Sequence, residues 1–164
     1  MSMLLKQLKK MRLAKIENNQ MKRAEQLQDL SREHHGSLVM AKRIAEIAES
    51  GDEAAIAEAI EKVKDYYENE LEVHFQHEER TIFAPIFKEY RDHIGIATQL
   101  LKEHGAMRML MPKLHVASAR EDLAEFASML KNHTRIEERE LFPIVESTFS
   151  DEQLDAILNF VPLD

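Results

Sequence analysis

Histidine and glutamate recur in this chain in a pattern that is written twice. Glu33-His34 precedes a run from His74 to Glu79 that reads His-x-x-x-Glu-Glu and continues to Phe83 and Pro85. Glu103-His104 precedes the same run from His133 to Glu138, which continues to Phe142 and Pro143. Imidazole nitrogens and carboxylate oxygens one helical turn apart are a donor set for a divalent or trivalent cation, and a duplicated set points to two cations side by side. Buried in an apolar interior without such compensation, the same groups would be costly.

A ligand must point into the core, so each residue is placed against the apolar stripe of its own helix. His34 lies one turn from both Leu30 and Leu38, whereas His35 falls to the flank. His74 follows Leu71 and Glu78 continues that stripe, while Glu79 points elsewhere and His77 is intermediate, placed to support the site rather than ligate. His104 follows Leu100; His133 follows Leu130, with Glu137 one turn on. The candidate metal ligands are therefore His34, His74, Glu78, His104, His133 and Glu137. Glu138 sits at the flank beside Thr134, and His93 and His115 have no carboxylate at the matching offset. The spacing alone is weak; its coincidence with four apolar stripes and a repeated Glu-Glu and Phe-Pro flank carries the reading.

The elements that must hold these residues read as helices. Leu27, Leu30, Leu38, Ala41, Ala45 and Ala48 predict a first helix from about Met21 to Ser50, stopped by Gly51. Asp52 caps a second, with a stripe of Ile56, Ile60, Val63, Tyr67 and Leu71, disturbed at Pro85. A third starts near Asp92 or His93, carries Ala97, Leu100, Met107 and Met111, and is kinked by Pro112. Ser118 to Glu121 fits a capping box for a fourth, with Leu123, Phe126, Leu130, Leu141 and Ile144; Ser150 to Gln153 fits another for a short terminal helix. Burying these stripes against one another gives an all-α fold, an antiparallel up-down four-helix bundle with an extra amino-terminal helix and a short carboxy-terminal one. Residues 1–20 form a basic helical extension and 21–164 the bundle. Depth agrees in the second half, where the midpoint of His104 and His133 falls beside Ser118. In the first half His74 lies deeper than His34 by roughly 8 Å at ~1.5 Å per residue, a surplus for helix tilt, a longer loop at Asp52 or a late helix start to absorb.

Composition narrows the chemistry. With no cysteine in 164 residues, disulfides, thiolate clusters and cysteine nucleophiles are excluded, so a metal is held by nitrogen and oxygen. Met107, Met109 and Met111 read as core filling. The net charge of −8 is uneven: the chain through Arg23 has seven basic residues and one acidic, leaving the remainder at −14. The body should repel nucleic acid, and the basic stretch is either a solvated face or a contact for an acidic protein partner or membrane surface. No apolar run approaches the roughly 18 residues of a spanning helix and the amino end lacks a secretory core, so a cytoplasmic location is expected.

In order and spacing, these residues resemble the hemerythrin-like (HHE cation-binding) family over about Arg23 to Thr148. The resemblance implies a bundle holding two iron ions in an oxo- or hydroxo-bridged diiron centre, with His34, His74, His104 and His133 as terminal ligands and Glu78 and Glu137 as bridges. The chain departs from the oxygen carriers of that family, which have a further histidine on the third helix and a carboxylate five residues after the last histidine. Here Arg108 stands at the first position and Glu137 follows His133 by four. It looks more like the variants with one His-x-x-x-Glu in each half, which leaves more positions for water, peroxide or nitric oxide. The Arg108 guanidinium could pair with Glu, steady a bound anion or snorkel to solvent.

Three functions follow as expectations. The first is a diiron protein binding O2 or a related small oxidant in sensing, storage or oxidative-stress response. The second is a diiron enzyme acting on peroxide or nitric oxide with the same ligands, or an iron-dependent regulatory module contacting a partner through its amino-terminal helix. The third is a metal-free structural bundle. The stripe assignment predicts that His34→Ala lowers the metal content of purified protein while His35→Ala leaves it unchanged; the reverse would overturn it.

Overall fold

The computed structural model describes residues 3, 4, 6, 7 and 23–163. Residues 3, 4, 6 and 7 are helical; the rest of the expected extension over 1–20 lies outside the described residues. Helix α1 spans Gln28–Ser50, entered through a 3-10 turn at Glu25–Leu27. Helix α2 covers 53–89, as Glu53–Tyr66, Glu72–Glu78 and Ala84–Glu89 joined by π-helical turns at Tyr67–Leu71 and Glu79–Phe83. Helix α3 is Ile94–Leu110, and α4 covers 119–148, as Ala119–Ile136 and Phe142–Thr148 joined by a π turn at Glu137–Leu141. Helix α5 is Asp151–Leu158. There are no strands among the described residues, and no helix there is long and apolar enough to cross a membrane.

Short connections set the topology. Gly51 and Asp52 alone join α1 to α2, so the two must run antiparallel. Asp52 caps α2 as expected, accepting from the Ala55 N–H at 2.8 Å. Neither a longer loop nor a late helix start therefore absorbs the extra depth of His74. The π turn at Tyr67–Leu71 takes up part of it, because a π turn packs an additional residue into each turn. Arg120 of α4 closes the other side of this corner, donating to the Ala48 and Gly51 carbonyls at 2.7 and 2.6 Å, which the end of α1 leaves without helical partners.

Several local expectations shift for identifiable reasons. The α-helix begins at Gln28 rather than near Met21, a residue outside those described. Ala24 is extended at φ −52° and ψ 144°, held there by its N–H donating to Glu146 at 2.7 Å. Pro112 ends α3 instead of kinking it: the helix stops at Leu110 and a 3-10 turn, Met111–Lys113, follows. Helix α4 starts at Ala119 as expected, but Ser118 does not cap it; its hydroxyl bonds the Asp122 carboxylate at 3.2 Å. The box at Ser150 and Gln153 does form, with reciprocal bonds of 3.0 and 3.1 Å. Ala45 and Met109 are exposed and leave the expected core, and Leu38, Tyr67 and Ile144 are only half-buried.

The interior has two apolar clusters. One gathers Ile44, Ile60, Phe75, Met107, Phe126 and Leu130; the other Leu30, Phe83, Leu100, Leu141 and Phe142. Buried with them, on all four long helices, are His34, His74, Glu78, His104, His133 and Glu137. The π turns after Glu78 and beginning at Glu137 explain the repeated Phe-Pro signature. A proline cannot donate to the carbonyl four residues back and its ring crowds it; for Pro85 and Pro143 that carbonyl lies inside the π turn. The wider turn closes instead through Ala84 N–H to Glu79 and Phe142 N–H to Glu137.

Two glycines predict opposite stabilities. A Cβ on Gly51 would meet the Ile47 carbonyl oxygen at 2.6 Å, whereas one on Gly36, inside α1, would meet nothing within 4 Å. Gly51→Ala is expected to destabilise by about 1–3 kcal/mol, and Gly36→Ala to stabilise by about 0.5–1 kcal/mol, read from urea unfolding midpoints; equal effects would contradict this packing.

Candidate metal centre

Four imidazoles and two carboxylates converge at the polar layer. His34, His74, Glu78 and Glu137 each offer a donor atom within 4.8 Å of the others, and so do Glu78, His104, His133 and Glu137. The two quartets share Glu78 and Glu137. All six residues singled out by their stripes are thus brought together, one histidine from each long helix.

What aims the histidines inward is a second set of carboxylates, each reaching an Nδ1 atom on a neighbouring helix. Glu33 of α1 faces His74 of α2 at 3.4 Å, and Glu79 of α2 faces His104 of α3 at 2.7 Å. Glu103 of α3 faces His133 of α4 at 2.8 Å, and Glu138 of α4 faces His34 of α1 at 3.0 Å. The chain of contacts closes on itself, from α1 through α2, α3 and α4 back to α1. Ionised carboxylates only accept, so each Nδ1 carries the hydrogen, and a ring that is neutral turns its Nε2 lone pair to the centre. Glu103 is held below the usual carboxylate range by its bond to His133. Burial pushes Glu79 and Glu138 up, but bonds from His104 and Arg108, and from His34, outweigh it and leave both lowered.

Reading each helix singly could not find this ring. Glu79 and Glu138 point off their own stripes, as expected, and onto the histidine of the next helix. The signal was the repeat itself: each half carries a glutamate directly before its first histidine and another directly after its inward glutamate. Arg108 resolves toward pairing. Its guanidinium donates to Glu72 at 2.8 and 3.0 Å and to Glu79 at 2.8 and 3.1 Å, bracing the α2 member of the ring. Arg23 braces the α4 member, 3.1 Å from Glu138 and 2.5 Å from Glu146. His77 does not support the centre. Its Nε2 lies 2.7 Å from the Ile157 carbonyl, which can only accept, and its ring stacks on Phe160 at 4.4 Å, docking α5. His35 is exposed.

The inward atoms fit a cation and little else. His34 Nε2, both oxygens of Glu78 and both of Glu137 are buried without a hydrogen-bond partner among the described residues. Imidazole nitrogens do approach Glu78, at 3.2 Å from His74, 3.3 Å from His104 and 3.5 Å from His34, and His133 lies against Glu137. These are charge-range contacts whose angles do not make hydrogen bonds; wherever the only ring hydrogen is on Nδ1, they set lone pair against lone pair. The His104 and His133 Nε2 atoms lie 3.1 Å apart, a hydrogen bond where one of the two carries a hydrogen and lone pair against lone pair where neither does. Burial pushes His74 down, but Glu78 and Glu33 outweigh it and raise it to about 10. Burial pushes Glu78 up, and the His74 charge together with the close His104 and His34 rings holds it well below the usual range. His133 goes the other way, lowered by burial that its bond to Glu103 only partly offsets. A proton on His74 and a metal ion answer the same charge deficit, so binding a cation displaces that proton.

The ring makes a prediction that inward ligands alone do not. Glu103→Ala should weaken metal binding roughly 10–100-fold, while Glu140→Ala, an exposed residue in the π turn that begins at Glu137, should not change it. Competition titration with a chelator checks both; equal affinities would remove the ring from the account.

No curated protein and no solved structure matches the chain. The profile of the hemerythrin HHE cation binding domain matches residues 25–145, the span that contains all six inward residues and all four outer glutamates. By that match over most of its length, the chain belongs to the hemerythrin HHE cation-binding family.

Proposed function

We propose that His34, His74, His104 and His133 are terminal ligands, and Glu78 and Glu137 bridging ligands, of a pair of iron ions, and that the protein binds O2 or a related small oxidant in sensing, storage or oxidative-stress response. The observation that carries this is the pair of overlapping buried quartets that share two carboxylates without hydrogen-bond partners. Family membership supports iron as the cation. Bound there, iron supplies reversible or modest redox chemistry toward O2, peroxide or nitric oxide.

The chain's own residues set the terms of that chemistry. The outer glutamates hold the imidazoles in one tautomer, so ligand positions are fixed before a cation arrives. Phe75 lies over His104 with ring centroids 3.9 Å apart and Phe142 over His34 at 5.1 Å, sheathing two of the imidazoles in apolar surface. Arg108 is occupied by Glu72 and Glu79, which supports a bracing role over that of an anion clamp. Two histidines in each quartet would give a bound pair of metals matching surroundings with few protein donors, which would leave room for a small ligand. Residues 1–20 are read as an extension appended to the domain of 21–164.

An enzyme acting on peroxide or nitric oxide would use the same ligands, and one experiment separates the readings. Protein grown with iron should carry about two irons per chain, and its optical spectrum should change on adding O2 and return on evacuation. Rapid peroxide loss abolished by Glu137→Ala would favour the enzyme instead, and protein without bound metal would defeat both.

A further inference from the structure

The four pairs of the ring are not equally protected. Glu33 to His74 is the longest, at 3.4 Å against 2.7, 2.8 and 3.0 Å for the others. The Glu33 side chain is 47% exposed, whereas Glu79, Glu103 and Glu138 are 23–25% exposed. Glu79 and Glu138 are braced by guanidiniums and Glu103 by the Gln99 amide at 3.2 Å. Among the described residues no cation other than His74 pairs with Glu33. Of the six inward residues His74 is also the most exposed, at 4% against no more than 2% for the rest. The wall around the centre is thinnest at one place.

A cleft of about 500 Å3 lies at that place, between α1 and α2, with Glu33, Gly36, Ser37, Met40, Tyr66 and His74 among its lining residues. We propose that this cleft is the port through which small uncharged molecules of two or three heavy atoms reach the centre, and that the missing side chain of Gly36 is what keeps it open. This rests on the metal-centre reading above. The larger groove of about 910 Å3 between α1 and α4 is lined by none of the six inward residues and leads elsewhere.

The lining selects by charge. The walls are mostly carbon, from Val39, Met40 and the Tyr66 ring, while Arg32 and Arg43 are matched at the rim by Glu33 and Glu70, leaving no net attraction for an ion. Glu33 stands against His74, so an anion meets a carboxylate at the last step. Ser37 donates to the Glu33 carbonyl at 3.2 Å and shares a hydrogen bond of 2.6 Å with the Tyr66 hydroxyl, in which either oxygen can donate, so the polar groups of the wall are already bonded to one another. The Tyr66 phenol is raised to about 12, by burial first and by Glu70 and Glu33 against the bond from Ser37, and it stays neutral. Gly36 is the one lining position where a side chain is absent, and a Cβ there would meet nothing within 4 Å.

That opening gives a clean test. Gly36→Leu fills the cleft while favouring the helix that carries it, and Gly95→Leu, also in open space on α3, is the control for added helix propensity. In iron-loaded protein, stopped-flow absorption should show nitric oxide association slowed by about tenfold or more in Gly36→Leu, with iron content and final spectrum unchanged and Gly95→Leu like the parent. An unaltered rate in iron-replete Gly36→Leu overturns the port. Crystals pressurised with xenon decide the matter without iron, including where the parent or the variant carries none. Xenon beside His74 in the parent and absent in Gly36→Leu supports the port, and no xenon in the parent cleft overturns it. An iron-free parent with xenon in the cleft would defeat the metal reading alone.

Discussion

The structure depends on a hydrogen bond repeated four times, from an imidazole Nδ1–H to a glutamate on the adjacent helix. Each bond does two things at once. It ties one helix to the next through a buried ring, and it commits that ring to the tautomer whose lone pair faces the interior. Because the bonds run from α1 around to α1 again, no histidine can turn without breaking a contact between helices. The bundle and the donor set are therefore one object. The same geometry explains the otherwise unfavourable centre, where Glu78 and Glu137 are buried without hydrogen bonds alongside two apolar clusters. Such groups are retained where a cation completes them.

Around the ring, the fold supplies braces and boundaries. Arg108 and Arg23 steady the outer carboxylates of α2 and α4, and Arg23 with Ala24 also fixes where α1 begins. The two proline-linked π turns sit directly behind Glu78 and at Glu137. Each lets one helix present an inward glutamate and, five residues on, an inward phenylalanine, an interval that a regular α-helix would rotate away from the core. Repetition of this device in both halves accounts for the near symmetry of the two quartets, while the wall itself remains unequal at Glu33.

Much of this was legible in the sequence because it is local. Helical stripes identified the six inward residues, and the Gly51-Asp52 and Ser150-Gln153 signals marked real helix ends. What escaped is what depends on a second helix. Glu79 and Glu138 look peripheral on their own helices, since their partners belong to the next one. The start of α1 is set by Glu146 far along the chain, so no reading of residues near Met21 could find it. Ser118 has the residue type of a cap, but its hydroxyl is taken by Asp122, and His77 has the type of a ligand but serves to dock α5. The excess depth of His74 was visible as a discrepancy; its partial cause, a π turn at Tyr67–Leu71, has no proline to announce it.

The most direct test of the central claim is anomalous diffraction at the iron edge from crystals of protein produced with iron. The account predicts two adjacent peaks, each facing the Nε2 atoms of one histidine pair, His34 with His74 and His104 with His133, and both facing Glu78 and Glu137. The four Nδ1 atoms should remain on Glu138, Glu33, Glu79 and Glu103. Metal bound through Nδ1, a single peak away from the shared glutamates, or no peak in iron-replete crystals would contradict it.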